Sequence, residues 1–157
     1  MSENAEKTET GSLFTIPFQY LVDLSLENPN PLLHITSTSS DKPEISINVQ
    51  VNARHLTERM FEVVLDVNAN ATRGKDKMFI CQVKYAGIIA IDEKVEEGQY
   101  RNILLENCPA FLFPFARNIV ATATLDTGFP PLLLQPVDFK ELNKTKGEAK
   151  EVDQQIH

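Results

Sequence analysis

The middle of the chain alternates apolar and polar residues, which is the pattern of strands with one buried face. The clearest run is 44–51, whose apolar positions are Ile45, Ile47, Val49 and Val51. Two similar runs, 60–71 and 78–85, are separated by a polar turn that contains a glycine. Because the links between consecutive runs are short, we expect the strands to form an antiparallel meander.

A further strand-like run, 13–22, precedes these and contains Pro17. Proline cannot donate a hydrogen bond to a neighbouring strand, so we expect this run at a sheet edge or with a bulge. The sequence Asn-Pro-Asn-Pro at 28–31 predicts an irregular connection, because proline restricts its own backbone and that of the preceding residue. After the strands, 92–107 has helix-compatible spacing, and Pro109 is expected to end that piece or begin the next helix.

The most apolar stretch of the chain is 108–139, and 111–125 within it has the spacing of a helix. Residues three and four apart share one side of a helix, which predicts an apolar face made of Leu112, Ala116, Ile119 and Ala123. Further apolar residues lie elsewhere around the helix, namely Phe111, Phe115, Ala121 and Leu125. Few polar positions remain for water, so we expect this helix to need cover on more than one side.

Three explanations of this apolar excess compete. A membrane span is disfavoured, because crossing the hydrocarbon takes about 20 apolar residues and this run contains Pro114 and Arg117. Burial in the chain's own core is the usual explanation of an apolar run, but a chain of 157 residues has few other elements to surround a helix. We favour burial against a second copy, with Ala116, Ala121 and Ala123 allowing close approach of the helices.

A proline-rich strip, residues 129–139, follows this helix. Gly128 is a typical residue at a helix C-terminus, and Pro130 prevents the helix from continuing. Prolines leave little of the strip's backbone free to pair in a sheet, so we expect the strip either to cover a core or to line an open groove. A short helix is expected to begin near Val137, with Asp138 and Glu141 in its first turn.

Composition narrows the choice of partner and compartment. With 22 acidic and 15 basic residues the formal charge is −7, which disfavours nucleic acid and anionic membrane and suits a basic partner surface. The first 12 residues lack the apolar segment of a signal peptide, so we expect a cytoplasmic protein. Cys81 and Cys108 are too few for a disulfide scaffold and are expected to be small buried apolar side chains.

The residues that catalysis would need do not converge in this sequence. His34, His55 and His157 lie in polar or terminal settings, and no motif joins them to a nucleophile or an acid. Neither glycine-rich phosphate-binding motif occurs. Glu96 and Glu97 are adjacent, which is typical of a solvated helix face. We therefore expect no catalytic residues, no metal site and no cofactor, and we do not expect an enzyme.

Two segments, CPAFLFPFAR at 108–117 and TGFPPLLLQPVDF at 127–139, closely resemble the SecB protein-export chaperone family. Upstream, DLSLENPNP at 23–31 resembles that family's loop between its first two strands. RMFEVVLDVNANA at 59–71 and MFICQVKYAGII at 78–89 resemble its central hairpin. The segments occur in the family's order and with similar spacings.

The order of strands and helices predicts an α+β fold, in which a four-stranded antiparallel sheet is followed by one long and one or two short helices. We expect a disordered lead at 1–12, a SecB-like chaperone domain at 13–142 and a flexible charged tail at 143–157. The resemblance implies a homotetramer that is a dimer of dimers. It also implies that the protein binds unfolded precursor proteins, keeps them translocation-competent and delivers them to the SecA ATPase, without direct membrane insertion.

Docking and interface residues follow from the same resemblance. Asp23 and Glu27 match the family's acidic SecA-docking residues. Ile80 and Gln82 match positions where SecA docks, although the family usually carries an acidic residue in place of Gln82. Positions that hold subunits together are matched by Phe79, Cys81, Val83 and Tyr85. To this oligomer interface we add the predicted helix face of Leu112, Ala116, Ile119 and Ala123.

The resemblance also implies that the connection at 28–35 is a crossover segment that forms one wall of a client-binding groove. Such a groove can bury apolar client segments without demanding a particular sequence. We expect its lining to contain Tyr20, Leu32, Leu33, Ile45, Ile47, Phe129, Leu132 and Leu134.

Two other functions remain open from the sequence. A small apolar-ligand carrier would enclose a cavity between sheet and helix, and it predicts a monomer with one saturable ligand. An enzyme that uses His34 or His55 predicts turnover that is lost when either residue is replaced.

Overall fold

The computed structural model of the chain describes residues 12–38 and 40–145. Its four strands are β1 (Phe14–Glu27), β2 (Glu44–Thr57), β3 (Met60–Arg73) and β4 (Asp76–Ile91). They form one antiparallel sheet in the order β1-β4-β3-β2. The predicted meander of β2, β3 and β4 is confirmed, and β1 crosses over to pair with β4.

β1 is an edge strand whose pairing with β4 is irregular in two places, between Thr15 and Phe18 and between Leu21 and Asp23. Pro17 lies inside the first irregularity, where its missing N–H does not interrupt a regular ladder. The prediction of an edge strand or a bulge is therefore confirmed, and the structure has both.

A short helix, α1 (Pro31–Thr36), lies in the connection between β1 and β2. The predicted irregular connection holds for residues 28–30, which lie outside any helix or strand, but not for Pro31, where α1 begins. Pro31 stands at the start of α1. The first N–H groups of a helix have no partner within the helix, so the N–H that proline lacks is not missed, and the fixed φ angle of proline suits the helical conformation.

One continuous helical run follows β4. It begins with a 3₁₀ helix, Glu97–Gln99, and continues as α2 (Tyr100–Asn102), a π-helical turn (Ile103–Asn107) and α3 (Cys108–Leu125). Pro109 was expected either to end the first helical piece or to begin the next helix. It stands in the first turn of α3, and the preceding helical piece continues into α3 without a break. Pro109 has no N–H to donate to the carbonyl four residues earlier. Immediately before it, the N–H of Cys108 donates to the carbonyl of Ile103, five residues earlier, so this turn is wider than an α-helical turn.

The last described helix, α4, spans residues 139–145. The Asp138 carboxylate accepts hydrogen bonds from the backbone N–H groups of Lys140 and Glu141, each at 3.1 Å. This is how an aspartate caps a helix N-terminus. The predicted short helix near Val137 is thereby confirmed, two residues further along.

α3 packs its inner face on β3 and β4 of the same chain. The fully buried residues of this core are Leu65, Val67, Cys81, Val83, Leu112, Ala116 and Val120. Gly87 lets the helix approach closely, since a Cβ atom there would lie 3.0 Å from Leu112 Cδ2. The expectation that the Leu112 face lacks cover within the chain is therefore wrong.

One face of α3 stays partly open. On it, Phe111, Phe115 and Leu125 are 61, 47 and 54% exposed, although the Phe111 ring packs edge-on against Phe14 and the Phe115 ring stacks on Tyr85. The eight residues expected at an oligomer interface all lie in the chain's own core instead, buried or half-buried between sheet and helix. Their assignment to contacts between copies stays a prediction, since in a single copy seven of them are buried and Ile119 is half-buried.

Both cysteines are free and fully buried, as predicted. Burial raises the pKa of the Cys81 thiol, and it raises the pKa of the Cys108 thiol to about 12. Neither thiol is therefore a ready nucleophile near neutral pH, because the thiolate is the reactive form.

The predicted lead at 1–12 and tail at 143–157 fall mostly outside the described residues. The domain boundaries stay predictions, and α4 continues three residues beyond 142.

The contact at Gly87 gives a test of the packing of α3. Replacing Gly87 with alanine places a methyl group 3.0 Å from Leu112 Cδ2 and 3.3 Å from Ile16 Cγ2. We expect the free energy of unfolding to fall by about 1–3 kcal/mol, because an overpacked core must shift. Urea denaturation followed by circular dichroism measures this. Gly98→Ala is the control, since a Cβ atom at Gly98 meets nothing within 4 Å. Equal stabilities of the two variants would contradict the close approach.

Candidate functional site

The proline-rich strip is tied to α3 by two hydrogen bonds. The backbone N–H of Leu132 donates to Thr124 Oγ1 at 2.9 Å, and Arg117 Nε donates to the carbonyl of Leu134 at 2.8 Å. Between these anchors the side chains alternate, with Leu134 fully buried and Leu133 59% exposed. The strip therefore covers the core with one side and presents an apolar surface to solvent with the other.

An open groove of about 420 Å³ lies between the strip and β2. Four of the expected lining residues are brought together there, namely Ile45, Ile47, Leu132 and Leu134. Sequence reasoning missed Val49, Phe113, Leu133, Gln135, Pro136 and Val137. Val49 continues the inward face of Ile45 and Ile47, so the alternation of β2 contained the signal for it. The position of Phe113 depends on where α3 crosses the sheet, which no local pattern gives.

Three other expected lining residues, Leu32, Leu33 and Phe129, are not among the described residues that line this groove. Leu32 and Leu33 project from α1 and are 76 and 50% exposed. Phe129 packs edge-on against the His34 ring, with the ring centroids 5.9 Å apart. α1 is thus seated beside the start of the proline-rich strip, and it adds apolar surface there without lining the groove itself.

Tyr20 lies apart from the other residues that were expected to line the groove. It pairs with Ala86, which faces away from α3, and its hydroxyl donates to the Glu62 carboxylate. That hydrogen bond is the main cause of the raised pKa of Tyr20. The expectation that Tyr20 lines the client groove is wrong, because its side chain lies on the opposite face of the sheet.

The two described histidines have structural surroundings at opposite ends of the sheet. His34 is buried, and its Nε2 donates to the carbonyl of Lys77 at 3.1 Å. Arg73 Nη1 donates to the carbonyl of His34 at 3.3 Å. The predicted polar setting is wrong for His34, which instead fastens α1 to the turn between β3 and β4. His55 is exposed near the turn between β2 and β3.

The face of the sheet that points away from α3 collects the predicted docking residues. In the register of β1 and β4, Glu27 stands opposite Ile80 and Asp23 stands opposite Lys84. Gln82 lies between these pairs on the same face, opposite Ser25. Asp23, Glu27, Ile80 and Gln82 thus share one solvent-facing surface, which we call the docking face.

Titratable groups do not converge on any further site in the described part of the chain. Among residues 12–38 and 40–145, no three His, Cys, Asp or Glu side chains are placed to hold a metal ion. The expectations of no catalytic residue and no cofactor stay predictions. One described helical segment, 97–125, is long and apolar enough to cross a membrane, which is weak evidence because core helices also pass this test. In this chain α3 lies on the sheet.

Comparison with known proteins gives a consistent assignment. The family model described as "Preprotein translocase subunit SecB" matches residues 7–150. The protein-export protein SecB of Rhodospirillum centenum is 42% identical over 142 residues, which are 90% of this chain and 84% of that protein. That of Rhodopseudomonas palustris is 44% identical over 121 residues, or 77% of this chain and 75% of that protein.

A solved structure shows the same fold at low sequence identity. It is the SecB-like chaperone of Mycobacterium tuberculosis in complex with a peptide from an antitoxin, with a TM-score of 0.65 and 12% identity. The match covers 79% of this chain and 90% of that one. With a family model that spans most of its length and close relatives throughout, the chain belongs to the SecB family of protein-export proteins.

Proposed function

We propose that this chain is a molecular chaperone that binds unfolded precursor proteins, keeps them translocation-competent and delivers them to the SecA ATPase in the cytoplasm. The observation that carries the proposal is an apolar groove that stays open to solvent. Ile45 and Ile47 on β2 are 48 and 44% exposed, and Leu133 faces them from the proline-rich strip. Membership of the SecB family supports the same function.

The groove suits clients of many sequences. Gln135 is its one polar side chain among the described lining residues, so little in it demands a hydrogen-bonding partner at a fixed place. Burial of apolar area is worth about 25 cal/mol per Å², so hiding roughly 400 Å² gains on the order of 10 kcal/mol before the cost of ordering the client. Several grooves in one assembly would bind a long client more tightly than one groove alone.

Polar substitution in the groove tests client binding. We expect the double variant Ile47→Thr/Leu133→Thr to bind an unfolded client about tenfold more weakly, because two apolar contacts are lost at exposed positions. Fluorescence anisotropy of a labelled, chemically unfolded precursor measures the affinity. Leu56→Thr is the matched control, since Leu56 is a 40% exposed residue of β2 outside the groove. Wild-type affinity in the double variant would refute this placement of clients.

We also propose that the chain assembles as a homotetramer, a dimer of dimers. Its support is the apolar surface that one copy leaves open on α3, at Phe111, Phe115 and Leu125, and on the edge strand β1, where Phe18 is 67% exposed. Exposed apolar patches of this kind are typical of interfaces. Association through β1 would leave the groove accessible, because the groove lies at β2, the opposite edge of the sheet.

Molar mass distinguishes this assembly from a small apolar-ligand carrier. The groove volume lies within the range of small-molecule pockets, which keeps the carrier as the alternative. Light scattering should give about four times 17.7 kDa for a homotetramer, whereas a carrier should stay at 17.7 kDa. Phe111→Glu should lower the mass, because it places a charge in the proposed interface. Leu32→Glu makes the same kind of change on α1 and should leave the molar mass unchanged. Loss of assembly in both variants would contradict this interface.

Delivery to SecA is proposed to use the docking face. We expect Asp23→Asn/Glu27→Gln to weaken binding of the purified SecA ATPase about tenfold, because two carboxylates that a basic partner surface would meet are lost. Isothermal titration calorimetry measures the affinity. Glu93→Gln/Glu96→Gln removes the same charge at the other end of the sheet, where both residues are exposed, and serves as control. Equal binding of SecA by both double variants would argue against this face.

A further inference from the structure

We propose that Asp66 on β3 supplies a carboxylate to the docking face and that Gln82 positions it. This rests on the proposed docking function of that face. The resembled family usually carries an acidic residue at the position of Gln82. The amide of Gln82 is neutral, so this position adds no charge to the docking face. The structure places a carboxylate on the neighbouring strand, within reach of that amide.

Two neutral amides hold the Asp66 carboxylate. Gln82 Nε2 lies 3.2 Å from Asp66 Oδ1 and 3.5 Å from Oδ2, and Asn68 Nδ2 lies 3.1 Å from Oδ1. Gln82 stands opposite Asn68 in the register of β3 and β4, so its side chain reaches diagonally to Asp66. Hydrogen bonds to a carboxylate are strong because the acceptor is charged, and neutral donors leave the negative charge uncancelled. The Asp66 side chain is therefore held in place by donors that carry no charge.

The surroundings of Asp66 distinguish it from the other acidic side chain of β3 on this face. Glu62 is occupied, because it forms an ion pair with Arg54 at 2.9 Å and accepts the hydroxyl of Tyr20. Asp66 has the neutral Gln50 opposite it on β2 and Lys84 opposite it on β4. Lys84 stands between Asp66 and Asp23, so this end of the face carries three carboxylates, with Glu27, against one ammonium group.

Gln82 is a positioning residue in this arrangement, and Asp66 is the group that meets the partner. Relative to Gln82, the carboxylate lies on the neighbouring strand at a diagonal position, a distance of about 7–8 Å in a sheet. A basic surface that bridges Asp23 and Glu27 on β1 would meet it across β4. Removing the Asp66 charge should therefore weaken docking. Removing the Gln82 amide frees the Asp66 side chain and should weaken docking to a lesser degree.

Four variants test the proposal against purified SecA ATPase by calorimetry at two salt concentrations. We expect Asp66→Asn to weaken binding about three- to tenfold and to reduce the salt dependence, because a charge at the contact is lost. Gln82→Met keeps the length of the side chain and removes its amide, and it should weaken binding less. If Gln82 acts through Asp66, the double variant Asp66→Asn/Gln82→Met binds no more weakly than Asp66→Asn. The exchange variant Asp66→Asn/Gln82→Glu returns the carboxylate to β4 beside an amide and should restore most of the affinity.

Controls separate this inference from the docking proposal itself. Glu93→Gln removes one exposed charge at the far end of the sheet and should leave the affinity unchanged. Weaker binding by Asp23→Asn/Glu27→Gln together with unchanged binding by Asp66→Asn overturns the role of Asp66 and leaves the docking face standing. An exchange variant as weak as Asp66→Asn also overturns it. Unchanged binding in all acidic variants overturns the docking face, and a wild-type chain that does not bind SecA overturns the proposed function.

Discussion

The packing of α3 on β3 and β4 is the contact on which the other features depend. Leu112, Ala116 and Val120 fill the space above the centre of the sheet and leave no room for solvent. Because the helix covers the centre and not β2, the apolar residues at the start of β2 keep one side open. The proline-rich strip then takes its position from α3 through Thr124 and Arg117. Groove, strip and open helix face are thus consequences of one helix placement.

The alternation of apolar and polar residues was enough to predict the sheet, because every second residue of a strand points to the same face. The run found at 44–51 is longer in the structure and ends at Thr57, since alternation fades where both faces of an edge strand are exposed. α1 escaped prediction for a different reason. A proline at a helix start and a proline in a turn look alike in sequence, and six residues are too few for a helical period to show.

The helix faces were the harder part, because α3 is apolar nearly all round. A helical wheel separates Leu112 from Phe111 and Phe115, but it does not say which face meets the chain's own sheet. The answer depends on Gly87, which makes the recess that Leu112 enters. That pairing joins residues distant in sequence, so only the folded chain reveals it. Tyr20 was misplaced similarly: it and Asp23 are three residues apart yet face the same way, because a bulge shifts the alternation of β1.

The two faces of the sheet differ in the surface that they present. On the α3 side the exposed surface beside β2 is apolar, whereas the docking face carries the amide side chains of Asn48, Asn68 and Gln82 side by side. Neutral amides do not cancel neighbouring charges, so the field of that face depends on its carboxylates and on the ammonium group of Lys84 between Asp23 and Asp66. Asp23 and Asp66 are two strands apart, about 10 Å in a sheet, which is comparable to the screening length of about 8 Å at physiological salt. A basic partner would therefore respond to both, and because the sheet lies between this face and the groove, a client in the groove need not compete with it.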